Sequence, residues 1–201
     1  MIWVSHEDGM TLITLGRPEK ANALTADMLE ALCIAVEESR DQKVIVLTGE
    51  GTVFCAGADL DAARSGLATS PMWERLSGAL ARFQGLSIAA LNGTCAGGAL
   101  GMVLACDLRI CVPNTRFFYP VMQLGFLPQP SDPKRLAAIA GPSRARLMLT
   151  GGQKIGSEEA LVWGLVDRIA DPSALMDTAR ILAKDTLAAD LSHIHGINAL
   201  Y

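Results

Sequence analysis

The 201-residue chain carries a net charge of −4 and is apolar, with 50% hydrophobic residues, 19% charged residues and a mean hydropathy of +0.30. This length fits one domain with a sizeable core, and the absence of a cluster of Lys and Arg argues against nucleic acid as a partner. We expect part of the apolar surface to be buried between subunits. The five cysteines are odd in number and lack C-x-x-C spacing, which indicates reduced, buried thiols.

One stretch, residues 83–106, contains no charged side chain and is long enough to span a bilayer. The turn-forming pairs Gln84-Gly85, Asn92-Gly93 and Gly97-Gly98 interrupt this stretch, so we interpret it as a strand, a turn and a helix. The first residues do not form a basic region followed by an apolar one. We therefore expect a cytoplasmic protein that does not enter the membrane.

Hydrophobic periodicity and capping signals predict the secondary structure in chain order. The predicted elements are a strand at 10–15, a helix capped by Thr25, a strand at 43–48, a mobile loop at 60–72, helices at 72–84 and 97–106, a strand at 108–112, helices that begin at Asp132-Pro133, Pro142 and Ser157, a strand at 165–169, and a last helix from Asp171-Pro172. Asp132 is the expected N-cap of its helix, because proline follows it.

The alternation of strands and helices predicts an α/β fold with largely parallel strands. No linker or low-complexity segment divides the chain. We expect a single domain over 1–190, followed by a C-terminal tail at 191–201.

Two glycine-bearing segments follow the apolar runs at 44–47 and 88–91. They are Phe54-Cys55-Ala56-Gly57-Ala58-Asp59 and Asn92-Gly93-Thr94-Cys95-Ala96-Gly97-Gly98-Ala99-Leu100-Gly101. Small residues let a ligand approach the backbone, and glycine tolerates the turns that this requires. Two such turns can aim two peptide N–H groups at one oxygen, which is the construction of an oxyanion hole.

In this order, the two segments resemble those of the crotonase (enoyl-CoA hydratase/isomerase) superfamily. Similar flanking motifs are Gly16-Arg17-Pro18-Glu19-Lys20-Ala21-Asn22-Ala23-Leu24, Cys106-Asp107, and Leu124-Gly125-Phe126-Leu127-Pro128 followed by Arg135-Leu136. The resemblance covers about residues 2 to 170. It implies a spiral of ββα units with a helical C-terminal part, here shortened, and a homotrimer or dimer of trimers. We expect the lid over the acyl pocket to be shortened, replaced by a neighbouring subunit, or absent.

The resemblance also implies an acyl-CoA substrate, with coenzyme A as part of the substrate and no permanently bound cofactor or metal. It places the two oxyanion-hole donors at the N–H groups of Ala58 and Gly98. The residues that it places against the substrate are Ala21, Ala23, Ala56, Asp59, Leu60, Gly101, Pro120, Val121 and Leu124.

Three positions depart from the family pattern. Gly101 and Val121 stand where hydratases of the family carry catalytic glutamates, and Gln129 stands where some dehalogenases and dienoyl isomerases use an aspartate. None of these side chains accepts a proton at neutral pH. Because hydration needs an acid and a base at the two carbons of the double bond, hydratase activity by the usual mechanism is disfavoured.

Tyr119 is the candidate acid, because decarboxylases of the family use a tyrosine in this neighbourhood. In an extended segment it would share one side with Val121 and Gln123. The alternative is an aromatic side chain that only packs beside its neighbours Phe117 and Phe118.

Other candidates for chemistry have plainer explanations. Asp132 could act as a base or cap its helix, and Asp59 could be a first-turn helix carboxylate. Cys55 and Cys95 lie beside the glycine turns, but no histidine follows closely in sequence to activate them. His193-x-His195 could bind metal on a strand, but two ligands alone are a weak signal.

The favoured hypothesis is an enzyme that stabilises a thioester enolate, with isomerase-like or decarboxylase-like chemistry. The alternative is a non-catalytic CoA-thioester binder that has lost its acid and base. A spiral-fold serine peptidase of the Clp type is rejected because residues 93–106 contain no serine. A dinucleotide-binding dehydrogenase is disfavoured because Gly-x-Gly-x-x-Gly is absent.

Overall fold

The computed structural model describes residues 1–200, which form ten strands and ten α-helices. The strands are β1 (Ile2–Glu7), β2 (Met10–Leu15), β3 (Val44–Gly49), β4 (Val53–Cys55), β5 (Leu86–Leu91), β6 (Thr94–Ala96), β7 (Leu108–Cys111), β8 (Arg116–Phe118), β9 (Ile155–Gly156) and β10 (Arg168–Ile169). The helices are α1 (Ala26–Glu38), α2 (Leu60–Arg64), α3 (Met72–Ala81), α4 (Ala99–Ala105), α5 (Val121–Leu124), α6 (Asp132–Ala140), α7 (Pro142–Leu149), α8 (Ser157–Trp163), α9 (Leu175–Ala188) and α10 (Leu191–Asn198).

The strands form two sheets. Six strands pair in the order β1-β2-β3-β5-β7-β10, and four pair in the order β4-β6-β8-β9. Neighbouring strands are parallel except for β1 against β2 and β9 against β8. This confirms the α/β fold with largely parallel strands. Strand β1 was not predicted, because its residues are mostly exposed and show no buried face.

Two structural repeats position the glycine segments. In the first, β3 is followed by β4 and α2, and in the second β5 is followed by β6 and α4. The repeats lie side by side, because β3 pairs in parallel with β5 and β4 pairs in parallel with β6. The turns that leave β4 and β6 therefore meet at the same edge of the four-stranded sheet.

Both faces of the six-stranded sheet are buried, which explains the uninterrupted apolar runs of β3 and β5. One face, with Val44, Val46 and Ile88, packs against α9. The other belongs to a larger core that includes α1, α3 and α4. Each fully buried aliphatic side chain contributes about 1.5–3 kcal/mol relative to an exposed one, so this core holds the two repeats in a fixed relation.

Several predicted helix boundaries are confirmed. Thr25 caps α1 by accepting a hydrogen bond from the Met28 N–H at 3.3 Å. Helices α7 and α8 begin at Pro142 and Ser157 as expected. Within residues 1–200, no helix has both the length and the apolar character needed to cross a membrane.

Two segments that we expected to be a loop and a tail contain helices instead. Residues 60–72 contain α2 and a 3-10 turn at Leu67–Thr69, so the prediction of a loop was wrong for most of this segment. The predicted tail contains α10, and Asn198 in this helix donates hydrogen bonds to the carbonyl oxygens of Gln84 and Gly85. His193 and His195 consequently lie on a helix rather than a strand. Within the part of the chain that the structure describes, no group of three or more potential ligands could hold a metal ion.

The expected capping role of Asp132 is also corrected. Asp132 is the first residue of α6, and Ser131 stands at the cap position. The side chain of Asp132 turns into the core and is 1% exposed. A carboxylate that caps a helix would accept backbone N–H groups of the first turn, but this carboxyl group is directed to another partner that belongs to the site.

Candidate active site

The two glycine turns touch through their backbones. A Cβ atom built on Gly57 would lie 2.9 Å from the carbonyl oxygen of Ala96 and 3.5 Å from the Cα of Gly97. Gly57 has a φ of +94° and Gly97 a φ of +59°, conformations that L side chains rarely adopt. Glycine is therefore required at Gly57 by the close approach as well as by the turn, and at Gly97 by the backbone conformation.

The Ala58 N–H is left without an acceptor within residues 1–200. Its neighbours are paired, because the Ala56 N–H donates to the Ala21 oxygen at 3.0 Å and the Asp59 N–H donates to the Leu24 oxygen at 2.8 Å. The segment that precedes α1 thus forms a short parallel bridge with the first glycine turn. A single donor remains free in the turn.

The second turn has the same arrangement. The Gly97 N–H donates to the Phe118 oxygen at 3.0 Å, whereas the Gly98 N–H has no acceptor among the described residues. A Cβ atom on Gly98 would lie 3.2 Å from the ring of Trp73, so this aromatic ring covers the turn. The Trp73 ring is itself held in place, because its Nε1–H donates to the Leu67 oxygen at 2.8 Å.

Arg17 and Asn22 fix the segment that flanks the first turn. Arg17 donates to an Asp59 carboxylate oxygen at 2.8 Å, and this hydrogen bond is the main reason that the pKa of Asp59 is lowered. Asn22 is fully buried, donates to the carbonyl oxygens of Glu50 and Val53, and accepts from the Arg17 N–H. Asp59 also caps α2 through the N–H groups of the first turn. Its geometry supports an ionised, structural carboxylate.

A cavity of about 240 Å³ opens beside the two turns. Eight residues that we predicted for the site line it: Ala56, Ala58, Leu60, Gly98, Tyr119, Pro120, Val121 and Leu124. Seven other lining residues were not predicted for the site: Ala63, Ala68, Trp73, Gly97, Phe126, Leu127 and Gln129. The five apolar side chains among them carry no chemical signal that would mark them in the sequence, whereas Gly97 belongs to the second glycine segment and Gln129 to the positions that depart from the family pattern. None of the lining residues is charged.

Four predicted site residues lie outside the cavity wall. Ala21 and Ala23 lie on the segment before α1, and Ala21 has a left-handed φ of +51°. Asp59 is engaged with Arg17 and the start of α2. Gly101 is buried inside α4 and faces α6 instead of the cavity.

Tyr119 joins the cavity wall to the buried carboxyl group of Asp132. The Tyr119 hydroxyl donates to Asp132 Oδ2 at 3.0 Å and accepts from the Gln129 N–H at 3.3 Å. The predicted extended segment is wrong beyond Pro120, because Val121 begins a short helix, and Gln123 in that helix is exposed. Tyr119 is nevertheless both packed in the core, 6% exposed, and part of the cavity wall.

The electrostatics of this pair follow from burial. Burial raises the pKa of Asp132 to about 7; the Tyr119 hydrogen bond and Arg135 act in the opposite direction, and the negative charge of Glu74 adds to the increase. Burial and the neighbouring Asp132 also raise the pKa of Tyr119, so the phenol stays protonated at neutral pH. A carboxyl group that titrates near neutrality is typical of proton-transfer sites.

The cysteines beside the glycine turns are not suited to act as nucleophiles. All five thiols are free and buried. Burial raises the pKa of Cys55 to about 12 and that of Cys95 well above its usual value. Because the thiolate is the nucleophile, neither thiol is suited to covalent catalysis.

Comparison with known proteins identifies the class to which this fold and site belong. The family model described as enoyl-CoA hydratase/isomerase matches residues 5–199. The chain therefore belongs to the enoyl-CoA hydratase/isomerase family, and the resemblance seen in the sequence is confirmed.

Individual relatives agree with this family. The chain is 35% identical to 4-chlorobenzoyl coenzyme A dehalogenase-2 of Arthrobacter sp, over 98% of this chain and 75% of the relative. It is 32% identical to the short-chain-enoyl-CoA hydratase of Clostridium acetobutylicum, over 90% and 72% of the two chains. The structure of Pseudomonas aeruginosa DspI superimposes with a TM-score of 0.90 at 31% identity, covering 99% of this chain and 85% of the other. The two sequence relatives are named for different reactions, and the solved structure shares this fold.

Proposed function

We propose that this protein binds an acyl-CoA thioester and stabilises its enolate with the N–H groups of Ala58 and Gly98, shifting a double bond within an apolar acyl group. The observation that carries the proposal is the pair of unpaired N–H donors on two touching turns beside an apolar cavity. Donors fixed in this way stabilise charge that develops on the thioester oxygen, and losing one costs about 2.7–4 kcal/mol in other enzymes.

Hydration is disfavoured by the residues that replace the family's glutamates. Val121 lines the cavity but carries no ionisable group, and Gly101 does not reach the cavity at all. Gln129 donates its amide to the Ala68 oxygen at 3.1 Å. Among residues 1–200, no carboxylate lines the cavity to activate a water molecule or to attack an aromatic carbon, so neither hydratase nor dehalogenase chemistry is proposed.

Decarboxylation is the second candidate, because Tyr119 in the cavity wall could protonate the enolate carbon after CO₂ leaves. Its substrate would carry a carboxylate, and no cation lines the cavity to receive it. Burying an unpaired charge is costly. Isomerisation of an uncharged acyl chain fits the lining better.

Coenzyme A would enter as part of the substrate, along the segment that contains Ala21 and Ala23. Exposed apolar side chains surround the cavity mouth, among them Leu127 at 86% and Leu60 at 73%. We propose that a neighbouring copy covers them in a homotrimer or dimer of trimers, since a single-chain surface rarely leaves such a patch open.

The test is an incubation of the purified protein with 3-enoyl-, crotonyl-, malonyl- and methylmalonyl-CoA. We expect 3-enoyl-CoA to become 2-enoyl-CoA, with no water added to crotonyl-CoA. Release of CO₂ from the malonyl esters would favour the second candidate instead. Saturable binding of every ester without turnover would show a non-catalytic binder and overturn the proposal.

A further inference from the structure

The cavity wall contains no ionisable group that titrates near neutrality, yet one lies directly behind it. Tyr119 lines the cavity, and its hydroxyl is hydrogen-bonded to Asp132, which does not line it. Asp132 is 1% exposed, and its Oδ1 has no hydrogen-bond partner within residues 1–200. A buried carboxyl oxygen without a partner is destabilising, which indicates that this carboxyl group serves a function.

The space that holds this carboxyl group exists because position 101 is glycine. A Cβ atom on Gly101 would lie 2.7 Å from Asp132 Oδ1 and 3.0 Å from Oδ2. Any larger residue there, including the glutamate of hydratases in the family, would displace the carboxyl group from Tyr119. The glycine on α4 therefore makes room for the buried carboxyl group on α6.

We propose that Tyr119 and Asp132 form a proton relay, in which Tyr119 exchanges protons with the acyl chain and Asp132 acts through it as the ionisable carboxylate. This inference rests on the proposed isomerase function and deepens it. Tyr119 is the residue that touches substrate, and Asp132 is a positioning and proton-storing residue.

The relay balances over one turnover. The Cα–H bond of a 3-enoyl thioester breaks as the Tyr119 oxygen takes the proton, and the phenolic proton passes to Asp132 Oδ2. The electron pair moves into the dienolate, whose oxygen faces the two N–H donors. Asp132 then returns its proton to Tyr119, which protonates Cγ and leaves the double bond between Cα and Cβ. No proton is gained or lost, and Asp132 ends ionised as it began.

The groups around Asp132 set the pH at which this relay starts. Tyr119, Glu74 on α3, Arg135 on α6 and the Cys95 thiol on β6 all interact electrostatically with the carboxyl group. Their balance with burial brings the pKa of Asp132 to about 7. Because the relay begins with the carboxylate, kcat/KM is expected to rise with pH through this value.

The experiment compares pH profiles of 3-enoyl-CoA isomerisation for the wild type, Asp132→Asn, Tyr119→Phe and the double variant. We expect each single variant to lose ~10²–10⁴-fold in kcat and the pH inflexion, with little change in KM. The double variant should lose no more, since the two groups act as a unit. Asp107→Asn is the matched control: Asp107 also accepts a hydrogen bond from a hydroxyl group, that of Ser87 at 2.7 Å, but lies outside the cavity wall. It should behave like the wild type.

The outcomes separate the relay from the proposed function. A wild type that isomerises 3-enoyl-CoA while Asp132→Asn keeps both its kcat and its inflexion would overturn the relay and leave the function intact. If Asp132→Asn fails to fold, Tyr119→Phe decides by the same criterion. A wild type that turns over no thioester would overturn both.

Discussion

Gly101 and Asp132 occupy one shared space, because a methyl group on Gly101 would lie 2.7 Å from the carboxyl oxygen of Asp132. Gly101 is helical and does not have a positive φ, so its conformation would accept alanine. The glycine is required by its neighbour and not by its backbone. This pairing explains how the space beside Tyr119 can hold the carboxyl group of Asp132.

Replacing Gly101 by alanine should destabilise the protein even though alanine favours a helix. Helix propensity alone predicts a gain of about 1 kcal/mol, whereas overpacking costs about 1–3 kcal/mol. In an Asp132→Ala background the clash is removed, and the same substitution should become neutral or stabilising. Urea unfolding of the four proteins measures the coupling, and additive effects of the two substitutions would show that the residues do not share this space.

Stability should fall as pH rises from about 4 to about 7, because Asp132 is harder to ionise when folded. Its pKa is raised from 3.8 to about 7, so the folded state holds an extra proton in this range and the penalty is complete above it. Asp132→Asn should therefore be more stable than the wild type at pH 8, by about 2–4 kcal/mol, and close to it at pH 4. Urea unfolding at both pH values measures this, with Asp107→Asn as the control. A pH-independent difference would contradict the raised pKa.

The thiols should resist modification in the folded protein. Because burial raises the pKa of Cys55 to about 12, its thiolate is scarce at pH 8. A thiol-specific disulfide reagent should label no cysteine of the native protein within minutes and all five after denaturation. Rapid labelling of Cys55 or Cys95 accompanied by loss of turnover would contradict this expectation and support a nucleophilic role for the labelled cysteine.

The sequence predicts the scaffold better than the proton-transfer group. Strands β3 and β5 could be predicted because burial on both faces leaves an uninterrupted apolar run. The glycine turns could be predicted because close contact between backbones excludes side chains. Asp132 was misread as a cap, since Asp-Pro at a helix start is the usual capping pattern. Its true partner, Tyr119, lies between β8 and α5, and the contact is made by tertiary packing, which local periodicity does not encode.

The most direct test of the two-donor site is the rate of 3-enoyl-CoA isomerisation by Gly98→Pro, measured beside Gly98→Ala. Proline removes the N–H, and the φ of −59° at Gly98 suits it. Alanine keeps the N–H and introduces the same Cβ atom against Trp73. We expect kcat to fall ~10²–10³-fold with proline, which removes the donor, and far less with alanine, which keeps it. Equal rates in the two variants would contradict the claim that the Gly98 N–H stabilises the enolate.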